Sequence, residues 1–151
     1  MKKKIVFAII VIIVIFVIIT FLLPNEKNLL MRDITSLKNA VEKEDKKSVL
    51  VYLDEHYIDR HNVTYEQLIT TMDEFFSHVD SIQIFMSGMK VWIDSTDSEN
   101  CVYASCSLGL RVLVNLEGEK AFAFGSMLKP SPVRAWFIKV DTHYRIYCAE
   151  Y

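Results

Sequence analysis

His56, Asp59 and His61 lie close together in the sequence, and imidazole and carboxylate are the groups that hold divalent metals or move protons near neutral pH. A histidine and a carboxylate three residues apart can share a helix face. A closed zinc site takes four ligands, however, and no second carboxylate motif completes the set. No metal and no cofactor is expected on that ground. His78 and His143 fall near the predicted ends of elements, where exposure is the plain reading. Cys101, Cys106 and Cys148 match no zinc or redox spacing. On one regular strand Cys101 and Cys106 face opposite sides, and Cys106 can bridge Cys148 only if their strands are neighbours, so buried free thiols are expected. The chain has no Gly-rich phosphate loop and no nucleophile elbow.

The elements that must position these groups can be read from periodicity. Between Glu26 and Glu44, Leu30, Ile34, Leu37 and Val41 recur at helical spacing. Asp45 is placed to cap a second helix, with Val49, Leu50, Leu53 and Tyr57 as its apolar stripe. Thr64 and Gln67 form a capping-box pattern ahead of Leu68, Met72, Phe75, Phe76 and Val79, which mark a third helix. Beyond Asp80 the period becomes two. Ile82, Ile84 and Met86 share one parity and Met89, Val91 and Ile93 the other, a phase change at Ser87-Gly88 that predicts a β-bulge. Ser95 to Asn100 reads as a polar turn. Val102 through Val114 then alternates cleanly, with one face packed and the other polar or lining a cavity. Gly118 marks a turn, and a weaker strand covers Ala121 to Leu128 before Pro130 and Pro132. A last hairpin joins Val133–Val140 to Tyr144–Tyr151. Helices followed by strands predict an α+β fold, with three helices on one face of a curved antiparallel sheet of four to six strands.

Ahead of this domain, Ile5 to Leu23 is an apolar run interrupted only by Thr20. A helix needs roughly 20 apolar residues to cross a bilayer, so residues 5–23 are expected to be a transmembrane signal anchor. The run exceeds the roughly 7–15 residues of a signal-peptide core and lacks a small-residue cleavage site. No cysteine follows for lipoprotein processing. Lys2, Lys3 and Lys4 precede the run and a near-neutral flank follows it. The positive-inside rule then places residues 1–4 in the cytoplasm and residues 27–151 in the periplasm or outside the cell. The lipid bilayer is thus the first expected partner.

The 151 residues carry a formal net charge of −2, with Lys and Arg scattered singly, so no basic stripe offers a surface for nucleic acid. Four glycines and three prolines leave no flexible linker, and no internal repeat is visible.

The helix ending Leu37-Lys38-Asn39-Ala40-Val41-Glu42-Lys43-Glu44-Asp45, the segment Val49 to Tyr57, and Thr64-Tyr65-Glu66-Gln67-Leu68 with Phe75-Phe76 form a recognisable order. With the strand Ile82 to Ile93 and the closing Arg134–Lys139 and Tyr144-Arg145-Ile146, residues 27–151 resemble the nuclear-transport-factor-2-like (cystatin-like cone) superfamily. The resemblance implies a curved sheet forming a pocket, which is an active site in some members and a binding or assembly surface in others. Its isomerases and dehydratases place an Asp or His base and Tyr donors in an apolar cavity. Tyr52, His56, Tyr57, Asp59, His61, Trp92 and Tyr103 are the residues that could serve here, with Tyr52, His56, Trp92 and Tyr103 taken as the pocket. The plainer alternative makes the aromatics packing residues and the polar groups solvated.

The leading expectation is a membrane-anchored, non-enzymatic binding or assembly domain, with Phe122 and Phe124 as its contact surface toward a membrane protein or a second copy. Weak contacts suffice for a tethered domain, because tethering raises effective concentration. The alternatives are a pocket enzyme of the isomerase or dehydratase type acting on a small apolar substrate, and a small scaffold component of a secretion or conjugation machine. Superfamily members with an amino-terminal anchor include a scaffold subunit of type IV secretion machines. This chain is shorter and carries no diagnostic match to it.

Overall fold

The computed structural model describes residues 25–97 and 101–151. The expected anchor at residues 5–23 lies outside the described residues. Among those described, no helix is long and apolar enough to cross a membrane.

Helix α1 (Glu26–Glu42) starts where the Asn25 side chain accepts the Lys27 amide at 3.0 Å. Its stripe of Leu30, Ile34, Leu37 and Val41 faces the sheet. Asp45 caps α2 (Lys46–Leu50) by accepting the Ser48 amide. The expected second helix stops there. Leu53 onward is a strand, β1 (Leu53–Asp59), with Leu53, Tyr57 and Asp59 facing inward. The sequence misleads here because a spacing of four between Leu53 and Tyr57 satisfies a helix and a strand equally. The exposed Glu55, His56 and Ile58 do not separate the two patterns. Helix α3 (Tyr65–His78) begins at the Thr64/Gln67 capping box as read from the sequence.

The remaining strands are β2 (Ser81–Thr96), β3 (Val102–Leu116), β4 (Glu119–Phe124), β5 (Ser131–Val140) and β6 (His143–Glu150). The sheet order is β1-β6-β5-β3-β2, with β4 paired to the far end of β3. The expected all-antiparallel sheet is corrected to a mixed one, because β1 runs parallel to β6. A parallel pair needs a long crossover, and here everything between Asp59 and His143 supplies it. The register of β2 against β3 slips between Ser87 and Lys90, where Gly88 has φ +62°. That conformation suits glycine, and the resulting bulge increases twist and bends the strand.

Two further boundaries differ from expectation. β2 continues through Ser95 and Thr96, which still pair with Tyr103 and Val102, so the turn starts later. β4 ends at Phe124, and Met127 and Leu128 lie exposed in the following loop. All three cysteines are free. β5 separates the strands of Cys106 and Cys148, so the pair is not adjacent.

Candidate apolar binding site

Helix α1 is fastened to the sheet at its start, its middle and its end. At its start Glu26 accepts the Tyr144 hydroxyl at 2.8 Å and pairs with Lys139 at 2.7 Å. Two turns further in, the buried Asp33 carboxylate accepts the Tyr144 amide at 2.9 Å. At its far end Glu42 accepts the Ile84 amide of edge strand β2 and the Lys38 ammonium, each at 2.7 Å. Burial pushes the Glu26 and Glu42 carboxyls upward, but these hydrogen bonds and the neighbouring lysines outweigh it and hold both below the ordinary range. Between Asp33 and Glu42 the helix and the sheet leave space.

That space has two lobes. A sheet lobe of about 190 Å³ lies between α1 and the concave face, against Ile84 and Met86 of β2, Cys106, Leu108 and Leu110 of β3, and Val133, Ala135 and Phe137 of β5. These wall residues recur at every second position, as one face of each strand must. A helix lobe of about 340 Å³ lies on the other side, against Val49, Leu53 and Tyr57, the α3 residues Leu68, Met72, Phe75 and Phe76, and Ala149 of β6. Leu37, Val41 and Ile146 belong to both walls and stand between the two lobes.

The walls hold no carboxylate and no imidazole. Burial pushes the Cys106 thiol up to about 11, which keeps it a neutral, small apolar surface. Burial, then the nearby Asp59 charge, raises the Tyr57 phenol, so it also stays protonated. Lys38 brings the one charged group, and its ammonium is already paired with Glu42. General acid–base catalysis most often uses an imidazole or a carboxylate, and neither lobe has one.

The residues marked from sequence as a pocket sit elsewhere. Tyr52 follows α2 and packs edge-on against His143 beside a shallow polar hollow. His56 points outward from β1 with its side chain 92% exposed, 3.2 Å from Asp54. Trp92 and Tyr103 share the outer face of the sheet; Trp92 is 43% exposed, and the Tyr103 hydroxyl donates to Asp97 at 3.4 Å. The structure therefore brings none of these four to the cavity, and of the wider candidate set only Tyr57 lines it. Asp59 is buried for a structural reason. Its carboxylate accepts the His61 and Val63 amides, each at 2.8 Å, and the Tyr151 hydroxyl, thereby shaping the turn after β1. His61 lies beside the Tyr151 ring. Phe122 is 37% exposed on β4, whereas Phe124 is half-buried with its ring edge-on to Tyr151. Among the described residues, no three His, Cys, Asp or Glu side chains gather as metal ligands would.

The wall residues that the sequence reading passed over include Ala135 and Ala149. Each is a small side chain at an inward position among larger ones, and that is the one local signal of space.

No protein-family model and no curated protein sequence matches the chain. Among solved structures, a proposed scytalone dehydratase from Novosphingobium aromaticivorans superposes with TM-score 0.66 at 10% identity, over 83% of this chain and 81% of that one. A proposed dehydratase of the NTF2-like family from Streptomyces avermitilis gives 0.59 at 11%, over 81% and 92%. The helical cell shape determining protein Pgp2 from Campylobacter jejuni gives 0.58 at 15%, over 80% of this chain but only 39% of Pgp2. At these identities the likeness defines the fold, which is the nuclear-transport-factor-2-like one, and leaves the chemistry to the site.

Proposed function

We propose that this domain binds a small apolar molecule in the two-lobed space beneath α1 and does no chemistry on it. The observation that carries the reading is the wall itself: aliphatic and aromatic side chains from every element except β4, with no carboxylate or imidazole among them. Pockets for small ligands are mostly apolar and enclose about 300–1,000 Å³. The helix lobe alone reaches that range at about 340 Å³. The dehydratase names among the structural neighbours favour an enzyme, but that reaction class needs a base in the cavity, and the candidates His56 and Asp59 do not line it. We further propose that the domain works beside a membrane; the support for this placement is the apolar run at residues 5–23 alone.

Methyl NMR of the full chain titrated with N-phenylnaphthylamine tests the binding reading. Shifts should concentrate on Met72, Met86, Ile84 and Ile146, which line the lobes. Shifts confined to Met127, Leu128 and the outer face, or none at all, would defeat it.

A further inference from the structure

We infer that the ligand is a molecule with one long unbranched acyl chain that runs through both lobes, with its polar head at Lys38. This deepens the binding reading above and rests on it. Three features of the site carry it.

The first is shape. The two lobes share a partition of Leu37 and Val41, one turn apart on α1, and Ile146 on β6, and this partition is the neck through which the chain would pass. Ile146 packs against the buried clusters on both sides, so the neck lies in the middle of the protein. The neck is formed by the side chains of three aliphatic residues, which can adjust by rotamer changes. A rigid fused-ring molecule large enough to fill both lobes would not follow this path, whereas a flexible chain can.

The second is polarity. A buried polar atom without a partner is costly, and a substrate decorated with hydroxyls or carbonyls along its length needs partners along its length. The lobes offer almost none. Cys106 is a weak donor, and Tyr57 of β1 and Thr71 of α3 are the hydroxyls of the helix lobe. An alkyl chain asks for none.

The third is the single charged end. Lys38 lines the sheet lobe and remains partly exposed, with its side chain 24% accessible. One of its three ammonium protons is given to Glu42, and Glu42 is itself held by the Ile84 amide. The remaining donors can serve one acceptor-bearing head, a carboxylate or an ester carbonyl, where chain and water meet. Met72 and Met86, unbranched and polarizable, line the two lobes and can fit to a flexible chain.

A free fatty acid and the acyl chain of a membrane glycerolipid share this chemistry, and the experiment separates them. The full chain in phosphatidylcholine vesicles is photolabelled with a fatty acid carrying a diazirine near its methyl end, with a phosphatidylcholine carrying the same chain, or with a rigid naphthyl diazirine. Labelled peptides are mapped by mass spectrometry. Chain label is expected on Met72 or Phe75 in the helix lobe, from whichever source is used. It should fall at least about tenfold both in Ala135→Phe, which blocks the sheet lobe, and in Ala149→Phe, which blocks the helix lobe. Lys38→Met should weaken the labelling by the fatty acid more than that by the naphthyl probe. Continued naphthyl labelling of the unblocked lobe shows that each variant is folded. Naphthyl label in the lobes without chain label would overturn the acyl assignment and leave the binding reading standing. Absence of both labels from the lobes would overturn both. Chain labelling lost in only one blocking variant would overturn the passage through the neck.

Discussion

Filling the sheet lobe should make the protein more stable while weakening the binding proposed for it. Ala135 lies on β5 facing a space of about 190 Å³. Ala135→Leu adds three carbons there, worth about 0.8 kcal/mol each when buried, or a little over 2 kcal/mol together. Ordering the new side chain takes back about 0.5–1 kcal/mol. The net expectation is a gain of about 1–2 kcal/mol, with the lower end favoured because the lobe is partly open to water. An independent route agrees in size. At about 24 cal/mol for each Å³ of cavity removed, filling a third of the lobe gives about 1.5 kcal/mol. The assay is urea unfolding of the full chain without ligand. With a slope of about 1–3 kcal/mol per molar, the midpoint should rise by about 0.5–1 M at unchanged slope. The same variant should bind N-phenylnaphthylamine more weakly. Stability and function move in opposite directions when a cavity exists to be occupied. A loss of 1 kcal/mol or more would refute the reasoning, because it would mean that Ala135 faces a packed core in which extra carbons only create strain.

Asp59 makes the second test, of the turn after β1. Tyr151→Phe removes its hydroxyl donor and should cost about 1–2 kcal/mol, and Asp59→Asn about 2–3 kcal/mol, with a coupling of about 1 kcal/mol in the double-variant cycle from urea unfolding. The Asp59 carboxyl is pushed up by burial but held lower overall by Tyr151 and by the Val63 and His61 amides. Its contribution is therefore fully present above the unfolded value of about 3.9 and is lost as pH falls through the lower folded value. Glu26 and Glu42 act in the same direction, so acid should loosen both ends of α1. Asp59→Asn should flatten the part of the acid profile that Asp59 supplies, and an unchanged profile would count against its role. Phe122→Glu tests the assembly surface expected from the sequence. If β4 carries a contact, crosslinking of the chain in membranes should fall while the unfolding midpoint shifts by less than about 0.5 kcal/mol equivalent, as for a surface site. Unchanged crosslinking would dismiss β4.

What could be read in advance follows a physical division. Helix α1, the Thr64 cap and the bulge at Gly88 are set by neighbours a few residues away, and local patterns report them faithfully. The strand identity of β1 is set by pairing with β6 almost at the other end of the chain, and no local signal distinguished it from a helix. His56 shows the consequence for the site. On a helix three residues after Leu53 it would lie near the apolar face, but on a strand its parity is opposite to Leu53 and it points to water. One misread period therefore moved a candidate base from the interior to the surface. Trp92 and Tyr103 reached the outer face by the same parity rule, on strands that were read correctly.

The cavity escaped notice for a different reason. Each of its wall residues, taken alone, is an ordinary core residue, and Leu37, Val41, Cys106 and Phe137 would read the same in a filled interior. Space arises from a mismatch between elements. A sheet bent at Gly88 meets a helix held along its length by Glu26, Asp33 and Glu42, and alanines at positions 135 and 149 leave the gap unfilled. The polar fastenings matter because an apolar helix would otherwise settle into the concavity and close it. An interior that stays open at the cost of unmade contacts gains only when something else supplies those contacts. For walls made almost wholly of carbon, what supplies them best is carbon.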